Sequence, residues 1–302
     1  MPLQAFLHEP QFGRLRGVAL MAFSTLAFSA MHSTIKHVSG DVDTFMIVFF
    51  RNLFGFVALL PLFIRHGLKP LRTRRIGTHI FRVSINFVSM TMFFYALAIT
   101  PLAEVAALSF SAPIFATFLA IFFFKEMVGL GRWAAIILGF LGTIVILRPG
   151  FEQISLGAIL ALSAALSWGG AIMVIKSLGK TESVLTVTAY MVLLLIPISL
   201  IPALLVWEWP TWQQLGWLLL VGIFGSVGHL TLNQALREAP TNVIMPIDFV
   251  RLIWVAIMGY FIFGEMPDIF VWIGGAMIFS SGLWIAHGEN RRRIGDRDAR
   301  AP

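Results

Sequence analysis

Cysteine is absent from the 302-residue chain. That excludes a disulfide framework, a thiolate metal site and a cysteine nucleophile. Charge is scarce: Asp, Glu, Lys and Arg make up 12% of the residues, against about 25% in soluble domains. Catalytic signatures are missing as well. There is no GxSxG, no HExxH, no Walker-type GxxxxGK[ST] and no spaced His set for a metal. The sequence therefore gives no footing for a cofactor, a resident metal or an enzyme, and any energy input is expected from a gradient rather than ATP. No short apolar stretch with a small-residue cleavage site follows Arg14 and Arg16, so the first apolar run is expected to be retained.

Apolar residues are abundant instead. They reach 58% of the chain, with a mean hydropathy of +0.86. Runs of spanning length fall at about 17–37, 44–64, 77–99, 102–124, 132–148, 155–177, 184–206, 212–236, 242–263 and 269–287. Each is apolar along its whole length, as a lipid-spanning helix needs about 20 such residues. The fold class this predicts is an all-α membrane protein with ten transmembrane helices. Gly and Pro mark several of the junctions, among them Pro70, Pro101, Gly129, Pro149, Pro210, Pro240 and Pro267.

The basic residues are distributed unevenly. Connections on one side hold 17 of the 22 Lys and Arg, and the opposite set holds only Lys36 and Arg148. Positive charge concentrates on the cytoplasmic side, so both termini are expected in the cytoplasm of a multi-pass inner-membrane protein. The net charge of +7 is then a topology signal, and no nucleic-acid partner is expected.

The chain also repeats itself. At a shift of 139, Pro101 meets Pro240, Phe110 meets Phe249, Glu126 meets Glu265 and Trp133 meets Trp272. At a shift of 140, Gly17 meets Gly157 and the pair Ile35–Lys36 meets Ile175–Lys176. Phe and Leu matches are cheap in apolar sequence, but Pro, Glu, Trp and Lys in one register are not. Residues 1–150 and 151–290 are thus expected to be two five-helix repeats, with 291–302 a basic cytoplasmic tail. Five spans is an odd number, so the second copy would enter the membrane inverted. Inverted repeats are the signature of alternating-access carriers.

The stretch from Arg82 through YALAITPLAEVAALSFSAPIFATFLAIFFFKE (95–126), with the duplicated plan and the Glu126 and Glu265 ends, resembles the drug/metabolite transporter superfamily, EamA type. The resemblance covers about 17–287. It implies a cavity lined by the first, third, fourth, sixth, eighth and ninth spans. It also implies small-molecule substrates, since members include amino-acid and metabolite exporters and importers of S-adenosylmethionine or riboflavin.

Ionisable groups inside the membrane are costly and mark candidate sites. Arg251 is the deepest, with Asp248 three positions earlier on nearly the same helical face. The pair either neutralises itself and stabilises packing, or lines the cavity and holds a carboxylate or phosphate. Arg82 either faces the same cavity or snorkels to the headgroups. Arg51, in the second span, reads as structural. Asn86, Tyr95, Trp168, His229 and Asn233 are further candidates for substrate contact. For proton coupling or gating the candidates are His32, Glu104, Glu126 and Glu265, although Glu126 and Glu265 also read as symmetry-related structural end-caps at opposite membrane faces. Glu104 has a local explanation too, because an acid suits a helix N-terminus. His32 in turn could simply be hydrogen-bonded.

The function expected is secondary active transport of a small organic metabolite bearing a carboxylate or phosphate, or zwitterionic, by alternating access. The alternative is a non-transport membrane protein, either a lipid-headgroup enzyme or a channel or scaffold. Membrane lipids are the other expected partners, and a monomer or a homodimer fits equally.

Overall fold

The computed structural model describes residues 10–66, 73–124, 129–150, 153–179, 181–182, 184–239 and 241–298. The described residues are almost wholly helical and contain no β-strand. The helices are α1 (Pro10–Val38), α2 (Thr44–His66), α3 (Ile76–Ile99), α4 (Leu102–Ser109), α5 (Ala112–Phe124) and α6 (Leu130–Leu147). They continue with α7 (Leu156–Leu178), α8 (Val184–Leu205), α9 (Trp212–Glu238), α10 (Thr241–Ile244), a 3₁₀ segment (Met245–Phe249), α11 (Val250–Phe263) and α12 (Ile269–Asp298). Among the described residues, seven helical stretches are long and apolar enough to cross a membrane, and three shorter apolar ones lie in α2, α6 and α12. Every apolar run of the sequence falls on one of these ten.

Local sequence explains where the helices begin and break. Ser155 caps α7, its Oγ accepting from the Ala158 N–H at 3.0 Å. Thr211 and Gln214 form a reciprocal capping box at the start of α9, satisfying donors that have no partner in the first turn. Two apolar runs are interrupted by proline. Pro113 lacks an N–H and its ring crowds the carbonyl four residues back, so the helix stops at Ser109 and restarts at Ala112. Pro246 does the same in the ninth run, where a 3₁₀ segment stands between α10 and α11. The two breaks meet at Phe110 and Phe249, the pair matched by the sequence repeat, and their rings lie 5.9 Å apart.

The main packing partners lie across the middle of the chain: α1 packs along α9, α3 along α7 and α6 along α12. Two of these seams are pinned by buried serines. Ser24 Oγ donates to the Gly228 carbonyl at 2.7 Å, and Ser89 Oγ donates to the Ala164 carbonyl at 2.8 Å. Residues 24 and 164 differ by one repeat shift and 89 and 228 by the other, so the bonds occupy matched places with donor and acceptor exchanged. Close approach is matched likewise. Gly17 sits against Ala239, where a Cβ would come within 2.8 Å of the alanine methyl. Gly157 sits against Thr100 so tightly that a Cβ would overlap the hydroxyl. In a membrane, where lipid is as apolar as leucine, small residues that let backbones approach are a main source of helix association. Between α6 and α12 the Ser281 hydroxyl donates to the Ala135 carbonyl.

Candidate functional site

The break before α11 places the deepest charges. Asp248 lies in the 3₁₀ segment, at the positive N-terminal end of α11, where a carboxylate is stabilised. Arg251 lies in the first turn of α11, and its Nη2 donates to Asp248 Oδ2 at 3.3 Å. The two side chains are 18% and 27% exposed, so neither is sealed in the packing. The guanidinium lies over the Phe110 ring, 4.8 Å from its centroid, a position in which a cation is attracted by the ring face. Phe249 and Phe279 complete a three-ring cluster with Phe110, with centroids 4.6–5.9 Å apart. From α1, Ser29 approaches the Arg251 carbonyl at 3.4 Å.

Several buried polar atoms here have no hydrogen-bond partner. Arg251 Nε, Trp254 Nε1 and His32 Nδ1 are all shielded from solvent without a hydrogen bond. His32 stands on α1 edge-on to Phe93, with ring centroids 5.1 Å apart, and is within electrostatic reach of Arg251. Leaving buried polar groups unsatisfied costs about 1–3 kcal/mol each, so these three atoms carry unused hydrogen-bonding capacity beside the charge pair.

The other sequence candidates are spread more widely. Arg82 is buried, but its guanidinium serves α8: Nη1 donates to the Val187 carbonyl at 3.1 Å and Nη2 approaches Met191 Sδ at 3.3 Å. One turn earlier, His79 stacks on Tyr190 of the same helix, 4.6 Å between centroids. Asn86 is buried on α3. His229 meets Phe28 edge-on at 5.0 Å, while Asn233 is exposed. Tyr95 and Trp168 are exposed, so they are not part of the Arg251 cluster's buried interior. Arg51 donates to Asn52 Oδ1 at 3.1 Å and lies against Gly225 of α9.

At one end of the bundle, Lys36 and Glu265 form an ion pair of 2.6 Å. Glu265 reaches it because Gly264 ends α11 in the left-handed region, at φ 68°. A cavity of about 180 Å³ opens beside the pair, lined by Glu104, Arg148, Gln153, Glu265 and Asp268 among others. There Arg148 pairs with Asp268 at 2.8 Å. Glu126 lies outside the described residues.

Sequence reasoning missed Phe110, Phe249, Phe279 and Trp254. The first two were visible as a repeat match, and Trp254 follows Arg251 by one turn. Phe279 carried no distinguishing signal among 28 phenylalanines.

Comparison with known proteins agrees with the geometry. A riboflavin transporter of Vibrio cholerae is 28% identical over 297 residues, spanning 96% of this chain and 98% of its own. An S-adenosylmethionine uptake transporter of Rickettsia bellii is 30% identical, spanning 91% and 94%. A riboflavin transporter of Rhizobium johnstonii is 31% identical, spanning 91% and 92%. A solved structure with 18% sequence identity has the same fold, at a TM-score of 0.58 over 93% of this chain and 97% of that one. The sequence model of the EamA-like transporter family matches twice, at residues 15–148 and 155–286. With both halves matched and relatives named as transporters along nearly the whole length, the chain is a multi-pass membrane transporter, not an enzyme, and belongs to the EamA-like transporter family.

Proposed function

We propose that this transporter is a ten-span secondary carrier of the inner membrane, built from two inverted five-helix repeats. Both termini face the cytoplasm. The carrier works by alternating access on a zwitterionic metabolite that carries a flat ring. The exchanged Ser24–Gly228 and Ser89–Ala164 bonds support the inverted repeat, as do the two matched glycine approaches. The lysine and arginine asymmetry supports the orientation. Interrupted helices at membrane depth are tolerated where they line a cavity. In carriers with inverted repeats, the substrate site lies at such interruptions.

The observation that carries the substrate class is Arg251 with Asp248 at the α11 break. A substrate α-carboxylate would take the guanidinium, which has an unpartnered Nε, and the α-ammonium would take Asp248. The Phe110, Phe249 and Phe279 rings offer a stacking face for the planar group. S-Adenosylmethionine, the cargo named for the Rickettsia relative, has that combination of a zwitterionic end and a purine. In this reading His32 supplies a polar contact from α1 and Asn86 one from α3. Tyr95, Trp168, His229 and Asn233 flank the path, and Arg82 holds α3 to α8.

The test is uptake by proteoliposomes of labelled S-adenosylmethionine and riboflavin. Saturable accumulation of S-adenosylmethionine that is lost in Arg251→Met is expected. Accumulation of riboflavin alone would replace the zwitterion reading, because its isoalloxazine needs the rings and not the charge pair. Single-channel steps in planar bilayers would replace the carrier reading.

A further inference from the structure

We propose that the Lys36–Glu265 ion pair is a latch that holds one end of the bundle shut between turnovers. The inference rests on the alternating-access reading above and adds the group that must break for the site to open on that side.

The pair does more than join two charges. Lys36 Nζ lies 2.6 Å from Glu265 Oε1 and also donates to the Thr100 carbonyl at 2.7 Å. Glu265 Oε2 accepts from the Leu102 N–H at 2.9 Å. Three segments are therefore clamped at one point: the end of α1, the α3–α4 junction and the turn after α11. The junction is suited to the clamp. Thr100 follows the last turn of α3, whose carbonyls have no helical partner, and Leu102 opens α4, whose first N–H groups have none. The ammonium thus meets the negative end of one helix and the carboxylate meets the positive end of the next. Pro101 between them has no N–H to satisfy.

The clamp is also built to open. Its side chains are 13% and 17% exposed, so water reaches its edge. When the segments part, all four polar groups can hydrate, and no orphan is left behind. An apolar seam offers no such reversible bond. The neighbouring Arg148–Asp268 pair is different, since it ties α6 to the start of α12, helices already packed together along their lengths. Breaking it should free nothing. In sequence, the same two residue types stand at the repeat-matched positions, Lys176 one repeat after Lys36 and Glu126 one repeat before Glu265.

The test uses the absence of native cysteine. Ser33 lies on α1 about one turn from Lys36, on the side towards the membrane centre. It is 5% exposed, and its hydroxyl has no partner, so Ser33→Cys is a mild change. The rate of labelling by a membrane-impermeant maleimide is measured on intact cells and on inside-out vesicles. The parent carries Ser33→Cys alone, and Lys36→Met, Glu265→Gln and Asp268→Asn are each added to it. Lys36→Met keeps the side-chain length. Glu265→Gln keeps an acceptor for Leu102. Each removes one charge, so a folding defect in one leaves the other as the test.

Labelling from outside should rise at least about tenfold in both latch variants, equivalent to about 1.4 kcal/mol in the closed-to-open equilibrium. Asp268→Asn should match the parent. A rise from the cytoplasmic side instead would uphold the latch and reverse the orientation proposed above. Parent-level labelling of folded Lys36→Met and Glu265→Gln from both sides would overturn the latch, as would an equal rise in Asp268→Asn. Failure of S-adenosylmethionine uptake with responsive labelling would overturn the substrate reading alone.

Discussion

Replacing Arg251 with lysine separates charge from shape. The ammonium keeps the positive charge near Asp248, now held at 3.3 Å, and can still sit over Phe110. What it loses is the planar fork that grips a carboxylate with two parallel N–H groups. In the structure the guanidinium gives one hydrogen bond to Asp248 and keeps Nε unpartnered, so a donor stands ready for a second contact. A hydrogen bond to a charged group is worth about 1.5–3 kcal/mol, and about 1.4 kcal/mol is a factor of ten. Losing one such bond should therefore raise KM by about 10- to 150-fold. Stability should change little, because Asp248 retains a cation. The assay is the initial rate of S-adenosylmethionine uptake into proteoliposomes over a concentration series, with thermal unfolding in detergent as the control. An Arg251→Lys protein with wild-type KM would refute the bidentate contact and leave the arginine a packing element.

Other perturbations follow from the packing. Gly157→Val should lower the folded yield and destabilise by about 1–3 kcal/mol through overpacking, because even a single added carbon would overlap Thr100; size-exclusion recovery and unfolding temperature report it. Gly264→Ala forces an L side chain to φ 68°, costing about 1–2 kcal/mol, and should displace Glu265 enough to raise the Ser33→Cys labelling from the Lys36 side. Arg82→Leu removes the tie to Val187 and Met191. It should lower the unfolding temperature while the KM of the protein that folds stays at the wild-type value; a raised KM would put Arg82 back at the substrate.

Much of this architecture was legible before any coordinates. The apolar runs located the helices, but the breaks beside Pro113 and Pro246 fall inside runs that read as continuous, because each proline sits among apolar residues that leave the hydropathy unbroken. Arg251 and Asp248 announced themselves as charges a turn apart in a hydrocarbon setting. The partner of Lys36 was not legible. Glu265 is remote in sequence, and its approach depends on a left-handed turn at Gly264 that no periodicity encodes. The contacts of Arg82 were not legible for a related reason. Its main partner is a backbone carbonyl, and carbonyls leave no mark on composition. The ring cluster was hidden because a helix that is apolar all round has no contrast between its faces. Nothing in the pattern then tells a lipid-facing phenylalanine from one beneath a guanidinium.

The exchange of partners across the chain has a consequence for biosynthesis. The long seams of α1, α3 and α6 are each made with a helix that emerges from the ribosome later: α9, α7 and α12. When α6 has been inserted, Ser24 and Ser89 still lack the carbonyls they will bind. The early helices must therefore wait in the lipid, spanning but unassembled, until their mates arrive. A chain interrupted after Pro149 would be left with open seams, whereas the same two pieces made side by side in one cell carry everything needed to close them.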